Sequence, residues 1–149
     1  MTRMEDIIYD FLESDRIWPP GIVSTKFEKA LIEVLKRLTD DVYDIVSERV
    51  LFVIEDPRIA AVNVPFKRIF PNCTNKIELR FDTIVVFHQA LAYSNTALVG
   101  LLAHELAHSF VRGRDYKTDE EETDKMVISW GFAKEHKALM SEQKKEEDK

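Results

Sequence analysis

Cysteine is almost missing from this chain of 149 residues: there is one, Cys73. A single thiol cannot close an internal disulfide, which excludes a small secreted scaffold held together by bridges. Long apolar runs are missing as well. No stretch approaches the ~18 uncharged residues of a membrane helix, so no membrane partner is expected. The segment from Met1 to Phe11 carries Glu5, Asp6 and Asp10 and lacks the basic start and apolar centre of an export signal. The expected location is therefore cytoplasmic. Positive charge is in deficit, with 21 Lys and Arg against 27 Asp and Glu and a net charge of −6. Nucleic-acid binders carry the opposite bias, and the one basic cluster, Lys144-Lys145, lies in a mixed-charge tail. No nucleic-acid partner is expected. Internal repeats and long linkers are also lacking.

What is present suffices for one core: 45% of the residues are hydrophobic. The length fits a single domain, read as residues 1–141 with a charged, disordered tail over 142–149. Ile7, Ile8 and Phe11 recur at helical spacing within 3–13. Trp18-Pro19-Pro20-Gly21 is a break. Thr25 and Glu28 form a capping-box pattern, and Phe27, Leu31, Val34, Leu35 and Leu38 continue it as a helix over about 25–48, bent near Thr39-Asp40-Asp41. The middle of the chain changes period. Val50–Ile54, Ala60–Val64, 77–81 and 83–87 read as short strands of a small, mostly antiparallel sheet. Ser94 or Asn95 can cap a helix running to about Val111, with Gly113 as its stop. Thr118 and Glu121 open another helix reaching Trp130-Gly131, and a last one runs from Phe132 to about Met140. The fold class is α+β.

The chemistry is concentrated in His104-Glu105-Leu106-Ala107-His108. Residues four apart on a helix sit one turn apart on one face, so His104 and His108 can reach one zinc ion together. Glu105 is about 100° round from His104 and about 60° from His108. It flanks the metal, where a base for water activation belongs. A bare HExxH arises by chance in about one chain in a hundred of this length. Here it lies in an apolar helix with Val99, Leu102, Ala103, Leu106 and Phe110 on the opposite stripe. Ala97 and Gly100, near the histidine side, are small enough to let another backbone approach.

A third ligand is available in Asp119-Glu120-Glu121-Glu122-Thr123-Asp124. An acidic first helical turn is one account of this run. Geometry supports another, because Glu120, Thr123, Asp124 and Val127 share a face. Glu120 then serves as ligand, and Asp124, one turn on, accepts a hydrogen bond from a ligand histidine. His136 is the alternative third ligand. His88, Tyr116, Arg114 and His136 are candidate oxyanion donors. Cys73 is either a ligand in a latent form or an inert thiol. Trp130-Gly131-Phe132 reads as core anchoring around a helix break.

AHELAHSF, EEETD and WGF, in that order, resemble the small zinc metallopeptidases of the gluzincin type, whose pattern is HExxH followed by ExxxD on a later helix. TIVVFHQAL, residues 83–91, resembles the edge strand with which that family holds an extended substrate. The resemblance covers roughly residues 50–132, and Thr123 departs from it where many relatives have a small apolar residue. It implies a zincin-like fold, with an active-site helix and a C-terminal ligand-bearing helix, one zinc ion per chain and a peptide or protein substrate. Glu105 would act as general base. The other function class left open is a non-catalytic zinc-binding regulatory module, or a latent form with an occupied cleft.

Overall fold

The computed structural model describes residues 2–14, 16–18, 25–54, 82–115 and 120–147. The expected strands at 60–64 and 77–81, Cys73 and Tyr116 lie outside them, as do the Pro19-Pro20-Gly21 break and Thr118. The side chain of Arg114 lies outside them too.

The chain starts with α1 (Arg3–Ile7), closed by a reciprocal cap. Thr2 Oγ1 accepts from the Glu5 amide at 3.2 Å, and Glu5 Oε2 accepts from the Thr2 amide at 2.9 Å. The helix widens into a π turn over Ile8–Leu12, with the Glu13 amide donating to Ile8 O. Ile7 and Phe11 are fully buried. Arg3 donates to the carbonyls of Leu35 and Leu38 at 2.8 and 3.0 Å. That places a cation at the C-terminal end of α2 (Thr25–Arg37), where the orphan carbonyls and the helix dipole both favour it. The long helix expected over 25–48 is in fact two helices. Leu38-Thr39 breaks it, with Thr39 in extended backbone, before α3 (Asp40–Arg49).

Three described strands form one sheet in the order β1 (Ile17–Trp18), β2 (Val50–Ile54), β3 (Asp82–Val86). Both pairings are parallel, with Ile17 opposite Phe52 and Phe52 opposite Ile84. This corrects the expectation of a mostly antiparallel sheet. Parallel neighbours need long crossovers. The path from β1 through α2 and α3 supplies the one between β1 and β2. Val50–Ile54 is buried along its whole length, as a central strand covered on both faces must be. β1 lacks any sequence pattern because two residues are too few to show a period.

A 3-10 turn (His88–Ala92) follows β3. Then comes α4 (Asn95–Asp115), the helix carrying the histidines. Ser94 Oγ accepts from the Ala97 amide at 3.1 Å and is the cap. The helix continues through Gly113 to Asp115, so Gly113 is not its stop. α4 is packed against α2, α3, α5 (Glu120–Ser129) and α6 (Ala133–Glu147). Between α5 and α6 the chain turns at Gly131, whose φ is +94°. Phe132 N donates to Val127 O at 3.2 Å and Gly131 N to Ile128 O at 3.0 Å. With Phe132 and Val127 both fully buried, this is a Schellman ending, and it accounts for the WGF segment. Helix α6 runs to Glu147, past the expected end near Met140. Its Glu- and Lys-rich end has good helix propensity, and Lys144 and Lys145 suit the negative pole.

Gly100 sets the distance between α4 and α6. A Cβ there would stand 2.3 Å from the carbonyl oxygen of Glu135 and 3.2 Å from the His136 amide. Helix propensity alone favours Gly100→Ala by about 1 kcal/mol. The clash is with backbone, so the sign reverses, and we expect a net loss of about 1–3 kcal/mol in urea unfolding. A variant as stable as the parent would show that α6 can move away freely. The same crossing is pinned by Arg37, which donates to Glu135 Oε1 at 2.8 Å and to the Gly131 carbonyl, with its guanidinium 4.1 Å from the centre of the Phe132 ring. Burial acts to raise the Glu135 carboxyl, but the Arg37 hydrogen bond and charge outweigh it and hold it below its usual range.

Candidate metal centre

Helix α4 carries His104 and His108 one turn apart, and α5 presents Glu120 from its first turn. The three side chains form a triangle, with Glu120 meeting each histidine through a different carboxylate oxygen. His104 Nε2 and His108 Nε2 are 3.0 Å apart, His108 Nε2 is 2.9 Å from Glu120 Oε1, and His104 Nε2 is 3.3 Å from Glu120 Oε2. At zinc–nitrogen distances of ~2.0–2.1 Å, tetrahedral ligands stand about 3.3 Å from one another. The observed separations are close to that value, with one Glu120 oxygen toward each histidine. The histidine side chains are nearly buried, whereas Glu120 is 71% exposed, so the group opens to solvent on the carboxylate side.

The far side of each ring meets an acceptor. His108 Nδ1 is 3.3 Å from Thr123 Oγ1. His104 Nδ1 is 3.3 Å from Asp124 Oδ1, although the angles there are off the hydrogen-bond direction. If both rings carry their proton on Nδ1, facing these oxygens, the two Nε2 atoms are bare. Lone pairs of two nitrogens and a carboxylate then face one another at 2.9–3.3 Å. A cation stabilises that arrangement, and hydrogen bonds cannot satisfy all three edges, because two ring nitrogens carry at most two protons. The residues therefore fit a metal ion.

The other acidic residues of the run lie elsewhere. Glu121 pairs with Lys125 on the surface at 3.3 Å, and Glu122 is exposed. Val127 is fully buried and Asp124 half-buried, while Glu120 is exposed, so this face turns inward only along its later part. His136 sits against Asp124, with Nε2 at 3.8 Å from Oδ1, and not at the triangle. His88 begins the exposed 3-10 turn after β3. Thr123 as a partner of His108 was not anticipated. Its place on the Glu120 face was the available signal.

Glu105 is outside the triangle. It lines a cleft of about 630 Å³ between α4 and β3, with Leu101, Leu102 and the strand residues Ile84 to Phe87. Among the described residues Glu105 is the one charged group in this lining, and β3 is an edge strand. Val85 and Phe87 project from it, 47% and 60% exposed. A second cleft, about 490 Å³, lies along α2, against the starts of α4 and α6, and holds none of the triangle's residues. Its Lys26 is already bonded to the carbonyls of Leu91 and Tyr93.

No family model matches the chain, and neither a curated protein nor a solved structure matches it.

Proposed function

We propose that this chain is a zinc metallopeptidase of the gluzincin type with a zincin-like fold, binding one zinc ion through His104, His108 and Glu120. The observation that carries the reading is the convergence of two imidazole Nε2 atoms and the Glu120 carboxylate, with contacts of 2.9–3.3 Å, next to an acidic residue in a cleft. A zinc ion bound there supplies a Lewis acid that activates water at neutral pH and polarises the scissile carbonyl. The protein's residues do the rest. Glu105 takes a proton from the attacking water and passes it to the leaving amine. Asp124 and Thr123 hold the ligand rings in one tautomer. An extended peptide lies along β3 and adds backbone hydrogen bonds to its edge, with apolar side chains directed at Val85 and Phe87. The substrate class is peptide or protein, and the acidic net charge opposes nucleic-acid binding. A cytoplasmic location belongs to the same reading.

The test is zinc content by elemental analysis together with hydrolysis of unstructured casein, with and without a chelator. One zinc per chain and chelator-sensitive cleavage are expected. Zinc without cleavage would move the protein to the class of non-catalytic zinc-binding modules, against which the position of Glu105 in the cleft stands.

A further inference from the structure

Behind the triangle, three buried polar atoms lack a well-aligned hydrogen bond: His104 Nδ1, Asp124 Oδ1 and His136 Nδ1. Leaving such atoms unpaired is costly, so their grouping calls for a reason. His104, Asp124 and His136 also form a second set of potential ligand atoms, all within 4.8 Å of one another. Asp124 Oδ1 is 3.3 Å from His104 Nδ1 and 3.8 Å from His136 Nε2. The His136 ring lies nearly parallel to that of His104, centroids 6.3 Å apart and planes at 19°. Gly100 admits the backbone that carries His136, and the Gly131 turn folds α6 back over α5.

Two accounts fit these atoms. A second metal ion in addition to the first would take His104 through both nitrogens, which needs a ring stripped of both N–H protons. A hydrogen-bonded chain needs only neutral rings. We propose that His136 is a positioning residue of the metal centre. It donates from Nε2 to Asp124, and Asp124 accepts from His104 Nδ1–H. His104 Nε2 is then held bare toward the metal. Closing the 3.8 Å contact to hydrogen-bond length takes a shift of about 1 Å, and the Asp124 side chain, 37% exposed, has room to make it. The inference rests on the metal reading of the His104–His108–Glu120 triangle, not on peptide hydrolysis.

The experiment measures zinc affinity by competition with a chelator, and unfolding of the metal-free chain in chelator, for the parent and for H136L, H136Q and H136N. His136→Leu keeps bulk and loses the donor. His136→Gln places an amide N–H near the Nε2 position, and His136→Asn is too short to do so. H136L is expected to weaken zinc binding ~10–100-fold, as loss of an outer partner of a ligand does, with H136Q restoring most of it. In an Asp124→Ala background H136L should add nothing further, because His136 acts through Asp124. Parent-like affinity in H136L overturns the proposal, as does a loss that persists without Asp124. Two zinc ions on the parent and one on H136L would establish the second metal instead. If H136L destabilises the metal-free chain, H136Q against H136N decides, and equal affinities of these two overturn the proposal. A parent that binds no zinc removes the metal reading and this inference together. Zinc binding without casein cleavage removes only the peptidase.

Discussion

Glu105→Gln is expected to keep one zinc per chain and to lower peptide hydrolysis by ~10²–10⁴-fold, the usual effect of removing a general base. The side chain stands outside the ligand triangle and lines the cleft beside β3. The amide is nearly isosteric, so packing in α4 is preserved, but it cannot accept the proton of the attacking water. Zinc content and casein hydrolysis measured on the same preparation separate the two roles. Activity within tenfold of the parent would rule Glu105 out as the base. Loss of zinc would show it to be needed at the metal itself.

Glu120→Ala should have the largest effect on the metal. It removes one of the three proposed ligands and leaves two histidines whose Nε2 atoms face each other at 3.0 Å. The loss in zinc affinity should exceed the ~10–100-fold expected for Asp124→Ala, which removes only an outer partner of His104. Glu120 also lies in the first turn of α5, beside the positive pole of that helix. Glu121→Ala and Glu122→Ala are the controls. Both side chains are exposed on α5, and zinc affinity should not change. Chelator competition on the four variants gives the ranking directly. If Glu120→Ala binds zinc like the parent while His136→Ala does not, the ligand set is wrong.

The candidate ligand residues were legible because their placement along each helix is local. His104 and His108 are one helical turn apart whatever surrounds them, and Glu120 shares a face with Asp124 and Val127 by the same period. Capping at Ser94, the strands at Val50–Ile54 and Asp82–Val86, and the break at Gly131 were legible for the same reason. The direction of strand pairing was not. A mostly antiparallel sheet was expected, although the uninterrupted apolar run Val50–Ile54 carried the opposite message of a strand buried on both faces. Gly113 misled because glycine is tolerated inside a helix that tertiary contacts support, at a cost near 1 kcal/mol.

By itself, then, the sequence determined the local geometry of this protein: helix and strand periods, caps, and the presentation of two histidines, a flanking glutamate and an acidic face. Only the tertiary structure decided which of those faces meet. The approach of Glu120 to both imidazoles, of Thr123 to His108 and of His136 to Asp124 depends on how α5 and α6 lie against α4. That packing is governed by close contacts such as the one Gly100 permits, and by the Gly131 turn and the Arg37–Glu135 pair. Short-range period fixes direction along one element, but distances between elements come from the sum of many packing contacts, which no single stretch of sequence contains.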